Sequence, residues 1–261
     1  FAQGLYLSFC KFTTVDNAKW VGVANYNVIL KDASFLNSFK FTILFAVVSI
    51  ILINVIAFGL ALLLTKELRG TNIFRTVFFM PSMVAPVIFV LIFKDIIKVG
   101  GPLYIILYRV FGYEMPNLLS NFDTATNTIL FYTLWSGFGA NLLIFVGAMN
   151  RIDNEILDAA RIDGCGSFRE FGSIIVPMCW ETLTTMIMLC TINIFMSSGP
   201  ILYFTGGDYG TNTLSYWIFD QVRDGTYYYP SAVGLFFTLI AIPIVLFLNW
   251  LMKKGGSRIE Y

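Results

Sequence analysis

Five stretches of this chain carry no charged residue, and each is long enough to cross a lipid bilayer: residues 41–65, 76–93, 124–150, 182–207 and 226–252. A helix needs roughly 20 apolar residues to span the hydrocarbon, where every backbone N–H and C=O must be satisfied within the segment itself. Five such runs in 261 residues are too much apolar surface for one soluble core. Composition agrees: 57% of residues are hydrophobic, 13% are charged and the mean hydropathy is +0.74. Soluble domains carry roughly 25% charged residues. The fold class is therefore an all-α membrane protein, a single helical bundle over residues 1–261. Residues 1–10 are apolar but too short to span, and lack the basic region and cleavage site of a signal peptide. They read as the tail of a first span truncated in this sequence, which raises the expected count to six spans.

Prolines fall inside the expected spans: Pro81 and Pro86 in the third, Pro200 near the end of the fifth and Pro243 in the sixth. Membrane helices tolerate such breakers as kinks. Orientation rests on the basic turn at residues 66–75 and on Lys253-Lys254 directly after the last run, both cytoplasmic by the positive-inside rule. The loops on the other side are rich in Gly, Asn, Asp and Tyr, as in residues 206–210 and 227–229.

Charge and residue usage exclude several functions. The net charge is +1 with no long basic run, so nucleic acid is not a partner. There is no histidine, which removes the commonest metal ligand and general base. Cys10, Cys165, Cys179 and Cys190 form no CxxC pair and read as small buried residues. No metal site and no catalytic residues are expected. An ion-coupled secondary transporter usually carries ionisable groups within its spans, and these five runs have none. An intramembrane enzyme would need paired acids or a histidine there.

The loop between the fourth and fifth runs, residues 151–177, carries most of the information. Ile152, Ile156, Ala159 and Ala160 recur at helical spacing. Asp153 or Asn154 is positioned to cap the start of a helix, and Gly164 to end it in the left-handed conformation. Ser167 and Glu170 have capping-box spacing for a second short helix, and Pro177 marks entry to the fifth span. A helix–turn–helix with small alanines offers a surface that a soluble partner can approach closely.

This segment resembles the EAA loop of ABC importer permeases. Asp158-Ala159-Ala160, three residues, Gly164, nine residues, Ile174, one residue and Val176-Pro177 reproduce the spacing of Glu-Ala-Ala-x3-Gly-x9-Ile-x-Leu-Pro, with Asp158 for Glu and Val176 for Leu. Residues 19–26 (KWVGVANY) are similar to an element after the first span of sugar-uptake permeases of the maltose and multiple-sugar type. Residues 69–81 (RGTNIFRTVFFMP) and 135–141 (WSGFGAN) resemble further elements of that group. Thr205-Gly206-Gly207 stands where the group has TGGGP, with Asp208-Tyr209 in place of Gly-Pro.

The resemblance implies the transmembrane domain of a type I ABC importer in a bacterial cytoplasmic membrane. It implies a second permease subunit of different sequence, two ATPase subunits below and an extracellular solute-binding protein above. ATP and Mg would be used by the ATPases: a P-loop needs Gly-Lys before Ser or Thr, and no Gly-Lys dipeptide occurs here. On the coupling loop the implied contacts are Glu155, Asp158 (to a basic group of the ATPase), Ala159, Ala160 and Gly164 (close packing), Phe168 and Phe171 (anchors) and Pro177. By register with the maltose-type permease, the solute path would include Thr133, Ser136, Gly137 and Ala140 on the fourth span and Cys190, Ile194 and Ser197 on the fifth. Trp135, Asn141 and Asn193 lie nearby to stack on or hydrogen-bond a sugar. The remaining alternative is a same-family permease for another solute, such as glycerol-3-phosphate. A phosphate would favour Arg or Lys in the path, and none is expected there.

Overall fold

The computed structural model of the protein describes residues 2–65 and 70–256, without the side chains of residues 15, 72, 244, 248 and 251–256. Lys66 and Arg69 of the basic turn lie outside the described residues, as do the side chains of Lys253 and Lys254.

Helix α1 (Ala2–Ser8) leads to a two-stranded antiparallel hairpin, β1 (Cys10–Lys11) and β2 (Lys19–Trp20), then to the short α2 (Ala24–Ile29). The first long helix is α3 (Ala33–Leu64). Next come α4 (Thr71–Met83), α5 (Pro86–Ile97), α6 (Pro102–Phe111) and the long α7 (Phe122–Met149). The loop helices are α8 (Asn154–Ile162) and α9 (Ser167–Glu170), followed by a π-helical stretch (Phe171–Ile175) and α10 (Val176–Met178). The chain closes with α11 (Trp180–Met196), α12 (Gly199–Phe204), α13 (Leu214–Arg223) and α14 (Tyr228–Gly256).

Among the described residues four helical segments are long and apolar enough to span: Ala33–Leu64, Phe122–Met149, Trp180–Phe204 and Tyr228–Phe247. The expected third span is not one straight helix. Its two parts, Ile73–Met83 and Pro86–Phe111, are bent by 106°, and they make a fifth span only if counted together. The bend falls at residues 84–85, just before Pro86, whose ring disfavours helical backbone at Ala85. Val84 is already extended (φ −77°, ψ 138°). The fifth run breaks as well, at residues 197–198, and Pro200 opens α12 in the first turn, where a missing N–H costs nothing. The expected first span is represented by α1, whose seven residues cover about 10 Å. One face of α3 leaves Leu44, Val47, Ile51, Val55 and Leu63 at least half exposed, the apolar stripe a lipid-facing helix presents.

The chain divides into two compact units. The first comprises residues 1–47, 87–131 and 195–246. Its core is Ile29, Phe35, Leu214, Trp217, Ala232 and Val233. Buried Asn25 ties the N-terminal hairpin down by donating to the carbonyls of Ser8 (3.0 Å) and Cys10 (2.9 Å). Thr42 Oγ1 accepts from the Leu214 N–H at 2.7 Å while donating to the Ser38 carbonyl, which joins α3 to the start of α13. Lys94 Nζ donates to the Tyr203 carbonyl at 2.7 Å, where a cation meets the last carbonyls of α12. The loop that follows is a tight turn. Gly206, Gly207, Tyr209 and Gly210 all have positive φ, and the Thr205 and Thr211 hydroxyls lie 2.6 Å apart.

The second unit comprises residues 48–86, 132–194 and 247–261. Its core is built from Ile53, Ala57, Phe58, Ala61, Phe138, Leu142, Phe145, Val146, Cys179 and Met186, with the Phe58 and Phe145 rings edge to face at 5.2 Å. Glycine allows the closest approach: a Cβ on Gly139 of α7 would collide with the Phe78 carbonyl oxygen of α4 and stand 3.2 Å from the Phe79 Cα. All four cysteines are free thiols; Cys10, Cys179 and Cys190 are buried, in keeping with their reading as packing residues, whereas Cys165 on the loop is only half-buried.

Candidate functional site

The loop 151–177 belongs to the second unit and is the helix–turn–helix its spacing implies. Asp153 is the N-cap of α8; its carboxylate accepts from the Glu155 N–H at 3.0 Å. The C-terminus is a Schellman turn: Cys165 N donates to the Ala160 carbonyl (2.9 Å), Gly164 N to the Arg161 carbonyl (3.1 Å), and Gly164 is left-handed at φ +81°. Gly164 is therefore required by the backbone, as its position in the spacing implies.

The apolar residues of the loop divide differently from the helical face expected. Ile152 precedes α8 and is buried in the bundle core, and Leu157 packs there too. Ile156 and Ala159 are exposed and Ala160 half-buried, so these four do not share one buried face. Ile162 is 87% exposed and Phe168 95% exposed. The two expected anchors thus separate: Phe171, 37% exposed, sets its ring edge-on to buried Phe58 at 6.1 Å, while Phe168 stands in solvent. Ile162 is the residue the spacing missed. Its signal is an isoleucine among Arg161, Asp163 and Gly164, out of phase with Ile152 and Leu157.

The capping box is corrected. Gly166 is the N-cap of α9, Ser167 is its first helical residue, and no side chain caps it. Glu170 turns to α8 instead. Both of its carboxylate oxygens accept from Arg161, at 3.2 Å from Nε and 3.0 Å from a terminal nitrogen, and the other terminal nitrogen reaches Asp158 at 3.1 Å. Hydrogen bonding and charge from Glu170, then from Asp158, raise the Arg161 pKa and hold it protonated. Asp158 is thus paired within the chain while remaining mostly exposed. Glu155 is exposed in the first turn of α8, and Pro177 is half-buried in α10.

The expected path residues fall in different surroundings. Ser136 Oγ donates to the Tyr132 carbonyl of its own helix at 2.9 Å. A Cβ on Gly137 would stand 3.0 Å from Ile53 Cδ1, so this glycine lets α3 and α7 approach. Asn141 Nδ2 points to Asn54 Oδ1 at 3.4 Å, and Asn54 itself donates to the Ile50 carbonyl. Asn54 was not singled out from the sequence; an asparagine in the middle of an uncharged run was the available signal. Cys190 is buried in the core, with Trp135 and Ile194 packed against it. Thr133 is half-buried, while Ala140 and Asn193 are exposed on the surface of the chain. Ser197 stands exposed at the break between α11 and α12 and falls in the first unit, apart from the other nine. Among the described residues no three His, Cys, Asp or Glu side chains converge as metal ligands.

Residues 69–261 match the family described as the inner membrane component of binding-protein-dependent transport systems. The chain belongs to this family. It is a multi-pass membrane permease, and its relatives carry transport functions. A probable starch degradation products transport permease, AmyD of Thermoanaerobacterium thermosulfurigenes, is 28% identical over 82% of this chain and 72% of its own length. The multiple sugar-binding transport permease MsmF of Streptococcus mutans is 26% identical over 94% of this chain and 86% of its own. The sn-glycerol-3-phosphate permease UgpA of Agrobacterium fabrum is 31% identical over 84% of this chain and 76% of its own. In fold the permease is similar to a chain of a bacterial alginate ABC importer, with a TM-score of 0.82, 17% identity, and coverage of 96% of this chain and 87% of that one. The type I permease fold implied by the resemblance is therefore the fold observed.

Proposed function

We propose that this permease forms half of the translocation path for a sugar or oligosaccharide in an ATP-driven importer. An extracellular solute-binding protein delivers the solute, a second permease completes the path, and two separate ATPase subunits use ATP and Mg. The observation that carries this reading is the loop 151–177. Its bundle-facing side is fixed by Ile152, Leu157 and Phe171, while Ile162 and Phe168 stand in solvent with almost no cover. Exposed large apolar side chains on a rigid turn are what a partner's cleft buries. The starch-product and multiple-sugar relatives support a carbohydrate as the solute.

Glycerol-3-phosphate is the second reading, favoured by the 31% identity to a permease for that solute. Against it, none of the ten path residues named above carries a positive charge for a phosphate.

The test is purification of the tagged permease from native membranes, followed by mass spectrometry of what accompanies it. A second permease, an ATPase and a solute-binding protein in the complex would support the importer. Titration of that binding protein with neutral oligosaccharides and with glycerol-3-phosphate then separates the two solutes. Recovery of the permease alone, under conditions that keep other membrane complexes together, would refute the coupling role of the loop.

A further inference from the structure

The two exposed apolar residues of the loop sit on different helices. Ile162 ends α8, Phe168 lies in α9, and residues 163–166 join them. No residue of either helix is fully buried, and Leu157 of α8 packs against the bundle core. α9 runs without a break into the π-helical stretch and α10, which sets its direction, whereas α8 is joined to it by the turn 163–166. The arrangement of Ile162 relative to Phe168 therefore depends on whatever ties the two helices together.

One side-chain tie crosses the turn. Arg161 stands one residue before Ile162 and Glu170 two residues after Phe168, and their fork is bidentate at 3.2 and 3.0 Å. Two parallel N–H···O bonds fix both the separation and the relative orientation of the planes, which a single contact does not. The carboxylate end is well sheltered: the Glu170 side chain is 13% exposed against 57% for Arg161. Asp158 accepts from the remaining arm of Arg161 at 3.1 Å, so the guanidinium cannot swing away along α8 without losing a second partner.

We propose that Arg161 and Glu170 form a clamp that holds Ile162 and Phe168 as one two-pronged apolar surface, and that both are positioning residues for energy coupling. In this role Asp158 steadies Arg161. The motif carboxylate then acts within the loop, whatever it also meets on a partner. The consequence for coupling rests on the importer reading; the clamp itself does not.

Two measurements on Arg161→Ala, Glu170→Ala and the double variant test it. The first is hydrogen–deuterium exchange of the full-length permease in micelles, following peptides that cover Gly164 and Cys165, whose amides bond back to α8. Each single variant is expected to exchange there about threefold faster or more, with the double variant no faster than either single, because both act through one contact. The second is solute carried per ATP hydrolysed by the assembled importer in proteoliposomes. That ratio is expected to fall by about threefold in all three variants, with membrane yield unchanged, which misfolding would not permit. Exchange at the wild-type rate in either single variant would overturn the clamp, as would effects that multiply in the double. Faster exchange with an unchanged transport ratio would overturn the positioning role. If the wild-type permease recruits no ATPase, the importer reading fails and the exchange experiment still decides the clamp.

Discussion

Gly139 sits on α7 where α4 comes closest, and Gly147, two turns further along the same helix, has nothing within 4 Å of where a Cβ would stand. The pair separates helix propensity from packing. Replacing a helix-interior glycine by alanine gains about 0.5–1 kcal/mol from reduced backbone entropy. At Gly147 that gain is all there is. At Gly139 the new methyl would overlap the Phe78 carbonyl oxygen and press on the Phe79 Cα at 3.2 Å. These are main-chain atoms of α4, so no rotamer change relieves them and the helices must part. Overpacking of this kind costs about 1–3 kcal/mol, and a backbone obstacle puts it near the upper end. Subtracting the helix gain leaves Gly139→Ala destabilised by about 2 kcal/mol, and about 2–3 kcal/mol below Gly147→Ala. Gly137→Ala should fall between them, because its obstacle is the movable end of Ile53 at 3.0 Å. Equilibrium unfolding by SDS in mixed micelles, followed by tryptophan emission, ranks the three. Equal stability of Gly139→Ala and Gly147→Ala would refute the claim that α4 and α7 pack backbone to backbone.

Three further variants test single positions. Thr42→Val keeps the shape of the side chain but orphans the buried Leu214 N–H, now bonded at 2.7 Å, and should cost about 1–3 kcal/mol in the same unfolding assay. Gly164→Val forces a β-branched residue to φ +81°, and Phe168→Asp places a charge on the exposed prong; both should lower ATPase recovery in pull-downs by about tenfold, with membrane insertion unchanged.

The sequence disclosed four of the expected spans, the loop and the family because each is written in local or strictly spaced terms. Uncharged runs show the membrane helices, and a glycine at a fixed distance from Ala159-Ala160 shows a left-handed turn. What it withheld depends on tertiary choice. Ser167 and Glu170 satisfy a capping box by spacing, yet an arginine nine residues before Glu170 competes for the carboxylate and takes both oxygens. Pro81 and Pro86 are equally visible, but Pro81 is accommodated inside α4 while the chain turns by 106° just before Pro86. Among the path residues, glycine and asparagine serve helix packing as readily as a solute, and only a neighbour such as Ile53 or Asn54 reveals the packing contact.

No residue of α8 or α9 is fully buried, and α8 meets the bundle core through Leu157. Their shape comes from a cap, a glycine turn and an ionic fork, and the loop is moored to the bundle by flanking residues, Ile152 and Phe171, together with Leu157. Exposed side chains that take no part in the cap, the glycine turn or the fork, such as Ile162 and Phe168, can therefore change without disturbing the membrane helices. Under the importer reading, a change of partner would fall on Ile162 and Phe168 while the mooring residues stay as they are, so that partner choice and membrane architecture sit on different residues of one loop.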